Sequence, residues 1–204
     1  MPMDNNPVVL VDRAFYFIIG FSFIFLFAIT AVMIWFVVRY RRSRNPYASD
    51  IRGNVWLELA WTVIPTGIAL AMFVSGWQAY TGLRSVPDGA LEIRAYAQMF
   101  SWIFVYPNDK ETENELVVPV GVPIKITLTS EDVLHSFYLP SFRVKMDAVK
   151  GMDTHAWFYP DKEGEFVFHC TEFCGTGHSS MDGTLTIVSE KAYEAFLEEE
   201  GDDE

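Results

Sequence analysis

The most regular feature of the chain is two long runs of residues without a charged side chain, both in its first half. The first run is Ala14–Val38, 25 residues, and the second is Leu59–Tyr80, 22 residues. A helix needs about 20 mostly apolar residues to cross the hydrocarbon core of a bilayer. Both runs therefore predict transmembrane helices, joined as a hairpin over residues 1–80.

The polar residues around these runs indicate how the hairpin crosses the membrane. Five arginines lie in the short connecting segment near 39–55: Arg39, Arg41, Arg42, Arg44 and Arg52. Short loops rich in Lys and Arg stay in the cytoplasm. The first run is too long for a cleaved signal peptide, and no basic cluster precedes it. We therefore expect two spans in a bacterial inner membrane, with the N- and C-termini on the periplasmic side.

Beyond the second run the pattern changes from long apolar stretches to short alternating ones. Residues 81–90 contain two glycines and a proline, and they are predicted to form a linker. In Leu91–Tyr96 and Ile124–Thr129, apolar and polar residues alternate with the period of a half-buried β-strand. Strands at this spacing, separated by turn residues, are typical of a β-sandwich, which we place at 91–189.

The charge divides along the same boundary. Residues 1–80 carry 4 acidic and 6 basic side chains, whereas residues 81–204 carry 23 and 9, so the second part has a net charge of −14. Part of this acid lies in residues 190–204, where the pattern predicts a short helix, capped by Ser189, and an acidic tail. A strongly acidic domain repels nucleic acid and attracts basic proteins.

Both cysteines of the chain lie in one segment that also holds other metal-ligand side chains. Cys170 and Cys174 are followed by His178 and Met181. Two Cys with His and a weak Met ligand indicate an electron-transfer copper site. Two thiolates can bridge two metal ions, and each ion then needs its own imidazole. His178 supplies one imidazole, and His135, in the upstream segment Val-Leu-His-Ser-Phe, supplies the other.

Two other arrangements are compatible with part of this pattern. A disulfide between Cys170 and Cys174 would use both thiols in an oxidising compartment, but it would not explain His178 and Met181. A zinc site would need four strong ligands and has no use for a thioether.

Two histidines remain, His155 and His169, and the sequence around each indicates whether it is a ligand. Along the strand that ends at Cys170, the side chains of Phe166 and Phe168 share the face of Cys170, so His169 is expected to point away from the metal. His155 has no ligand-like neighbours in the sequence. We therefore expect neither to be a ligand.

The pattern Cys-x3-Cys-x3-His-x2-Met, preceded by Val-Leu-His-Ser-Phe, resembles subunit II of cytochrome c oxidase, which carries a dinuclear copper (CuA) centre. The resemblance implies an all-β, cupredoxin-like Greek-key sandwich or barrel after the transmembrane helical hairpin. It implies Cys170 and Cys174 as bridging thiolates, with His135 on one copper and His178 on the other. Met181 would be a weak axial ligand.

The same resemblance gives Glu172 two roles. Its backbone carbonyl would be the weak ligand of the second copper, and its side chain would contribute to a magnesium or manganese site shared with subunit I. The side chains of Phe137 and Phe173 would form an apolar shell that tunes the potential. Subunit I would hold the haems, so this chain alone would accept and pass electrons without reducing oxygen.

One acidic residue, Glu58, lies at the start of the second predicted helix. Its side chain can simply reach the membrane interface, but an ionisable residue in a membrane helix is also a functional candidate. In the resembled family, the pattern Leu-Glu-x-x-Trp-Thr-x-x-Pro opens this helix, and its glutamate lies at the mouth of a proton-uptake path into subunit I. Residues Leu57–Pro65 match that pattern, so the resemblance makes Glu58 the proton-uptake candidate. Pro65 is expected to kink the helix.

Electron uptake depends on the aromatic residues before Tyr106. The family usually has a Trp-x-Trp cluster there, over which cytochrome c docks, whereas this chain has Phe100 at the first position and Trp102 at the second. A glutamate common in that stretch falls on Val105. Phe100 and Trp102 are the candidates for electron uptake from a c-type cytochrome or another periplasmic donor. The alternative is that both fill the core of the sandwich.

Three other functions are open at this point. A quinol-oxidase subunit without copper would keep the hairpin and the sandwich, but it would lack the ligands that are present here. A nitric-oxide-reducing relative would carry the same copper site and differ in its partner subunit. A periplasmic copper carrier would not need the long second helix or Glu58. The expected function is the electron-accepting subunit of a terminal oxidase that reduces oxygen to water and translocates protons.

Overall fold

The structure of the chain is a computed structural model. It describes residues 6–47, 49–50 and 52–199. These described residues divide into two compact units, one within residues 11–79 and the other comprising residues 6–10 with 80–199. The acidic tail predicted beyond residue 199 lies outside the described residues.

Two long helices fill the first half of the chain. Helix α1 spans Pro7–Arg39 and helix α2 spans Val55–Arg84. Both are long and apolar enough to cross a membrane, and the chain itself buries none of the residues in their most apolar windows. Asn54 Oδ1 accepts hydrogen bonds from the backbone N–H groups of Trp56 at 3.0 Å and Leu57 at 3.2 Å, which fixes the start of α2. Both predicted spans are therefore confirmed as helices.

The linker predicted over 81–90 begins too early, because α2 continues to Arg84. The backbone carbonyl of Gly82 accepts a hydrogen bond from Nε1 of Trp157 at 3.1 Å. The backbone N–H of Ser85 donates to the carbonyl of Thr81 at 3.0 Å. A glycine in the sequence lowers helix propensity, but here the contact with a distant tryptophan stabilises the last turn.

Ten strands follow the helices. Their bounds are β1 Leu91–Gln98, β2 Ser101–Val105, β3 Glu111–Glu113, β4 Glu115–Pro119, β5 Ile124–Ser130, β6 His135–Leu139, β7 Val144–Ala148, β8 Thr154–Phe158, β9 Gly164–Cys170 and β10 Asp182–Val188. One sheet has the order β3-β2-β1-β5-β8 and the other has the order β4-β10-β9-β6-β7. The pairs β1–β5 and β4–β10 are parallel, and the other pairs are antiparallel. Strands far apart in the chain are thus neighbours, which confirms the predicted sandwich.

The core lies between the two sheets and consists of their inward-facing residues. In β5 every second residue is buried, as the alternation predicted. Four aromatic rings from β2, β6 and β9 meet in this core, with neighbouring centroids 5.0 to 6.5 Å apart: Trp102, Phe104, Phe137 and Phe168. Aromatic pairs contribute about 0.5–1.5 kcal/mol beyond their buried area, so this cluster is a main source of the domain's stability.

A short helix closes the domain. Helix α3 spans Glu190–Glu198, and the Ser189 hydroxyl oxygen accepts the backbone N–H of Ala192 at 3.3 Å, which confirms the predicted cap. At the other end of α3, the Lys110 ammonium donates to the carbonyl of Glu199 at 3.0 Å. A cation near the C-terminus of a helix is favourable, so this lysine helps to hold the helix against the sandwich.

Candidate metal centre

The second sheet brings the candidate ligands together. His135 is the first residue of β6, and Cys170 is the last residue of β9. These strands are antiparallel neighbours with Phe137 opposite Cys170, so both ligands lie at the same end of the sheet. The connection from β9 to β10 carries the other three side chains, Cys174, His178 and Met181.

Five predicted ligand side chains converge on one small volume. The sulfurs of Cys170 and Cys174 are 4.0 Å apart. Nδ1 of His135 lies 3.8 Å from the Cys170 sulfur, and Nδ1 of His178 lies 3.5 Å from the Cys174 sulfur. Sδ of Met181 lies 3.8 Å from the Cys174 sulfur. Each thiol therefore has one imidazole beside it.

The two cysteines are free thiols rather than a disulfide. Both are buried, and burial, followed by the neighbouring Cys170 thiol, raises the pKa of Cys174 to about 11. The ligand atoms of His135, Cys170 and Cys174 all lie within 4.8 Å of one another, a grouping that can hold a metal ion. A bound cation displaces thiol protons, so metal binding here would convert these thiols to thiolates.

The thioether of Met181 indicates which metal fits. Met181 is fully buried, and its sulfur faces the thiols instead of filling a separate part of the core. A thioether is a soft, weak ligand that is typical of copper sites. Structural zinc sites use four strong nitrogen, sulfur or carboxylate ligands. The donor set therefore fits copper better than zinc.

Glu172 faces this cluster with its backbone. The Cys170 thiol donates a hydrogen bond to the Glu172 carbonyl oxygen at 3.3 Å. This oxygen therefore lies beside the thiol cluster, and its role as a weak ligand stays a prediction. The carboxylate is half-buried, and its predicted share in a magnesium or manganese site stays a prediction.

The structure adds Asp132, a residue that the sequence argument did not select. Its Oδ1 lies 2.7 Å from Nε2 of His135, and its Oδ2 accepts the backbone N–H of Met99 at 2.7 Å. Partial burial raises the pKa of Asp132, but hydrogen bonds, led by that of His135, outweigh it and keep the pKa below its usual value. The signal in the sequence was an aspartate three residues before a predicted ligand histidine.

The two electron-uptake candidates occupy different environments. Trp102 is fully buried with its ring 6.2 Å from that of His135, and its indole N–H has no hydrogen-bond partner among the described residues. Phe100 is half-buried, and its ring lies against Gly175 and Gly177, where an added Cβ would come within 3.0 Å and 2.5 Å of it. Trp102 thus also fills the core, whereas Phe100 reaches solvent beside the ligand loop. Electron uptake through these residues stays a prediction.

The apolar surroundings of the ligands are only partly buried. Phe137 is fully buried, as the predicted shell requires, but Phe173 is 78% exposed and lies outside it. The Phe173 ring meets the His178 ring edge-on, with centroids 5.7 Å apart. Val133 and Leu134, just before His135, are exposed as well.

Three other residues considered in the sequence have separate surroundings. Glu58 lies in the first turn of α2, where it is exposed. Nδ1 of His169 lies 2.8 Å from Oδ1 of Asp182, and Nε2 of His155 lies 3.5 Å from the backbone carbonyl of Arg84. Neither histidine belongs to the ligand cluster, as predicted.

Comparison with known families gives matches to both halves of the chain. Residues 91–188 match the family model described as cytochrome C oxidase subunit II, periplasmic domain. Residues 2–76 match the model described as cytochrome C oxidase subunit II, transmembrane domain. The two matches divide the chain into the hairpin and the sandwich seen in the structure.

Individual proteins agree with these matches. Cytochrome c oxidase subunit 2 of Cereibacter sphaeroides is 27% identical over 88% of this chain and 74% of its own length. Alternative cytochrome c oxidase subunit 2 of Bradyrhizobium diazoefficiens is 30% identical over 91% of this chain and 77% of its own. Among solved structures, the periplasmic domain of subunit II of cytochrome oxidase of Bradyrhizobium japonicum is 33% identical with a TM-score of 0.54, covering 56% of this chain and 95% of that domain.

Proposed function

This chain belongs to the cytochrome c oxidase subunit II family, and on that premise we propose that its metal centre is a dinuclear copper (CuA) site serving a respiratory terminal oxidase. The chain is the electron-accepting subunit of that oxidase. It takes electrons from a c-type cytochrome or a similar periplasmic donor and passes them to haem in subunit I. There, oxygen is reduced to water and protons are translocated.

The observation that carries this proposal is the pairing of each thiol with one imidazole. Cys170 and Cys174, with sulfurs 4.0 Å apart, would bridge the two coppers as thiolates. His135 and His178, whose Nδ1 atoms lie beside the two sulfurs, would each ligate one copper. A lone blue-copper site would need only one cysteine, so the second thiol supports a dinuclear centre.

The weak ligands and the scaffold complete the assignment. The Met181 thioether and the Glu172 carbonyl would be weak ligands, since each lies beside one of the thiols. When bound there, copper would supply the one-electron transfer chemistry. The contribution of the chain is to hold the ligands at the rigid ends of β6 and β9 and to exclude water by burial.

A polar stripe on α2 supports a membrane-embedded partner. Glu58, Thr62 and Thr66 are spaced four residues apart, so they share one exposed face of the helix. The Thr62 hydroxyl donates to the Glu58 carbonyl at 2.9 Å, and the Thr66 hydroxyl donates to the Thr62 carbonyl at 2.7 Å. Polar groups in membrane helices usually face protein rather than lipid. The stripe would therefore lie against subunit I.

Glu58 is the proton-uptake residue of the proposal. Its carboxylate folds back over Gly53, where an added Cβ would lie 2.8 Å from Oε1. It is exposed on the polar stripe, so a proton path in subunit I could begin at this carboxyl. By the positive-inside rule this end of α2 would face the cytoplasm, the side from which protons are taken.

The β-domain supplies the remaining contacts of the proposal. Its acidic surface would attract a basic c-type cytochrome, which would dock over Phe100 and pass electrons toward His135 by way of Trp102. The Glu172 side chain would share a magnesium or manganese ion with subunit I. The subunit would lie in a bacterial inner membrane with both termini on the periplasmic side.

Electron paramagnetic resonance of the full-length chain, loaded with copper in detergent, tests this function. We expect hyperfine structure from one electron shared equally by two copper nuclei. The matched variant is Cys174→Ser, which keeps the size of the side chain but removes one bridge. It should abolish the signal or reduce it to that of a single copper.

Two results would contradict the proposal. A single-copper signal in the unaltered chain that also survives Cys174→Ser would mean that Cys174 is not a bridge. The absence of any specific copper signal would favour the copper-free structural subunit of a quinol oxidase instead.

A further inference from the structure

We propose that Asp132 is a positioning residue of the metal centre. Its carboxylate fixes the tautomer and the orientation of His135, and it ties this ligand to the tip of the β1–β2 hairpin, Met99–Phe100. The inference rests on the copper function proposed above. It concerns a residue that contacts a ligand rather than the metal itself.

The first step is that the Asp132 carboxylate is held in place independently of the histidine. Oδ1 accepts the backbone N–H of Val133 at 2.6 Å, and Oδ2 accepts the backbone N–H of Met99 at 2.7 Å. Nε2 of His135 then lies 2.7 Å from Oδ1, with the His135 side chain fully buried. Two backbone donors thus orient the acceptor, and the histidine ring conforms to it.

The second step concerns the ring proton. A carboxylate can only accept hydrogen bonds, so Nε2 of His135 carries the proton. In a neutral imidazole the other nitrogen, Nδ1, then has the free lone pair. Nδ1 is the atom that lies 3.8 Å from the Cys170 sulfur. Asp132 therefore prepares the metal-binding atom of His135 before a metal arrives, and it also makes the imidazole a more basic ligand.

The third step is that the hairpin tip contacts both halves of the site. The backbone N–H of Met99 donates to Asp132, and Asp132 in turn contacts His135 (the His135 half of the site). The Phe100 ring lies against Gly175 and Gly177, in the loop that carries the other half. The tip therefore contacts both His135 on β6 and the loop that carries Cys174 and His178, and Asp132 is its polar connection to His135.

His178 provides an internal contrast to His135. Its ring is half-buried, and its Nε2 has no hydrogen-bond partner in the part of the chain that the structure describes. Loss of the Asp132 carboxylate should therefore change the His135 half of the site and leave the His178 half unchanged. A general loss of stability would affect both halves.

The test compares Asp132→Ala with Glu131→Ala in the full-length chain in detergent, with its histidines labelled with nitrogen-15. Glu131 is the preceding residue, and its carboxylate is exposed, so this variant controls for the loss of one negative charge. Without metal, we expect the His135 ring to show a single Nε2–H tautomer in the unaltered chain and in Glu131→Ala. We expect a mixture of tautomers in Asp132→Ala.

Copper binding gives the second readout. We expect copper affinity to fall about 10–100-fold in Asp132→Ala and to stay unchanged in Glu131→Ala. The electron–nuclear coupling to the His135 nitrogen should change in Asp132→Ala, whereas the coupling to His178 should not. Asp132→Asn keeps the shape of the side chain but has one acceptor oxygen and no charge, so it can accept either from Val133 and His135 or from Met99. Its affinity should therefore lie between those of the other forms.

The outcomes separate this inference from the proposed function. An unchanged His135 tautomer and equal copper affinity in Asp132→Ala would overturn the positioning role, as would an unchanged copper affinity in Asp132→Asn where the alanine variant does not fold. Failure of the unaltered chain to bind two coppers would overturn the proposed function instead. The tautomer measurement needs no metal, so it decides the positioning role in either case.

Discussion

The membrane hairpin and the β-domain use the same residue types in opposite ways. In the hairpin Trp56 is 78% exposed and Phe27 is 67% exposed, whereas in the β-domain Trp102 and Phe137 are fully buried. The apolar surface of the hairpin suits lipid and partner helices, but the β-domain covers its own apolar surface. The metal centre can therefore be built by packing within one domain, whereas the role of the hairpin depends on what surrounds it.

The largest expected difference between the two regions comes from truncating a tryptophan in each. Trp102→Ala should lower the free energy of unfolding of the β-domain by about 3–5 kcal/mol, because it empties a buried site beside His135. Trp56→Ala should leave that free energy unchanged. Urea unfolding in detergent, followed by near-ultraviolet circular dichroism, measures both. Similar losses in the two variants would mean that the β-domain does not supply its own stability.

Adding a methyl group to one glycine in each region tests the same difference between the hairpin and the β-domain. In Gly177→Ala the new Cβ would lie 2.5 Å from the Phe100 ring, so the ring or the ligand loop must move. Overpacking of this kind costs about 1–3 kcal/mol, and the copper spectrum should broaden as the loop shifts. Gly67→Ala in α2 is the matched control, because an added Cβ there meets nothing within 4 Å.

Unfolding and copper spectra of both glycine variants decide the point. We expect the loss only for Gly177→Ala, while Gly67→Ala should leave the β-domain as it is. An unperturbed copper site in Gly177→Ala would show that the contact of Phe100 with the ligand loop does not hold the ligands.

Much of this architecture follows from local pattern. The uncharged runs predict the helices, because a helix satisfies its backbone internally and needs only length and apolar composition to cross a bilayer. Alternation predicts the strands and also the facing of Phe168, His169 and Cys170, which the structure confirms. The ligand set was visible because thiols, imidazoles and a thioether at these spacings have few other uses.

The features that sequence reasoning missed depend on contacts between distant segments. The position of the Asp132 carboxylate depends on a hydrogen bond from the backbone N–H of Met99, 33 residues away. The last turn of α2, which ends at Arg84, contacts Trp157 through the Gly82 carbonyl, 75 residues away. None of these partners can be identified from a local period, because they meet only when the sandwich closes.

The variant Glu58→Gln tests whether the hairpin has a functional role. In the assembled oxidase we expect turnover to fall about tenfold, equivalent to about 1.4 kcal/mol on the barrier, because a carboxamide cannot take up and release a proton. The copper spectrum should not change. Glu163→Gln, an exposed glutamate between β8 and β9, is the control and should leave turnover unchanged. Unchanged turnover in Glu58→Gln would remove Glu58 from the proton path.

The smallest expected effect concerns a polar contact inside the β-domain. The buried Ser136 hydroxyl donates to Oδ1 of Asp147 at 2.7 Å, and this bond, opposed by partial burial and assisted by Lys145, lowers the pKa of Asp147. A carboxyl whose pKa is lower in the folded state stabilises the fold above its unfolded pKa, and this stabilisation is lost as the pH falls through the folded value. The Asp147 side chain is 49% exposed, so we expect no more than about 0.5 kcal/mol.

Asp147→Asn should therefore be slightly less stable than the unaltered chain at neutral pH and should lose part of the decline in stability below about pH 4. Asp161→Asn, an exposed aspartate between β8 and β9, is the matched control. Unfolding free energies measured from pH 2 to 7 on the three proteins distinguish them. If Asp147→Asn keeps the full acid-side slope, the Ser136 contact does not couple ionisation to folding.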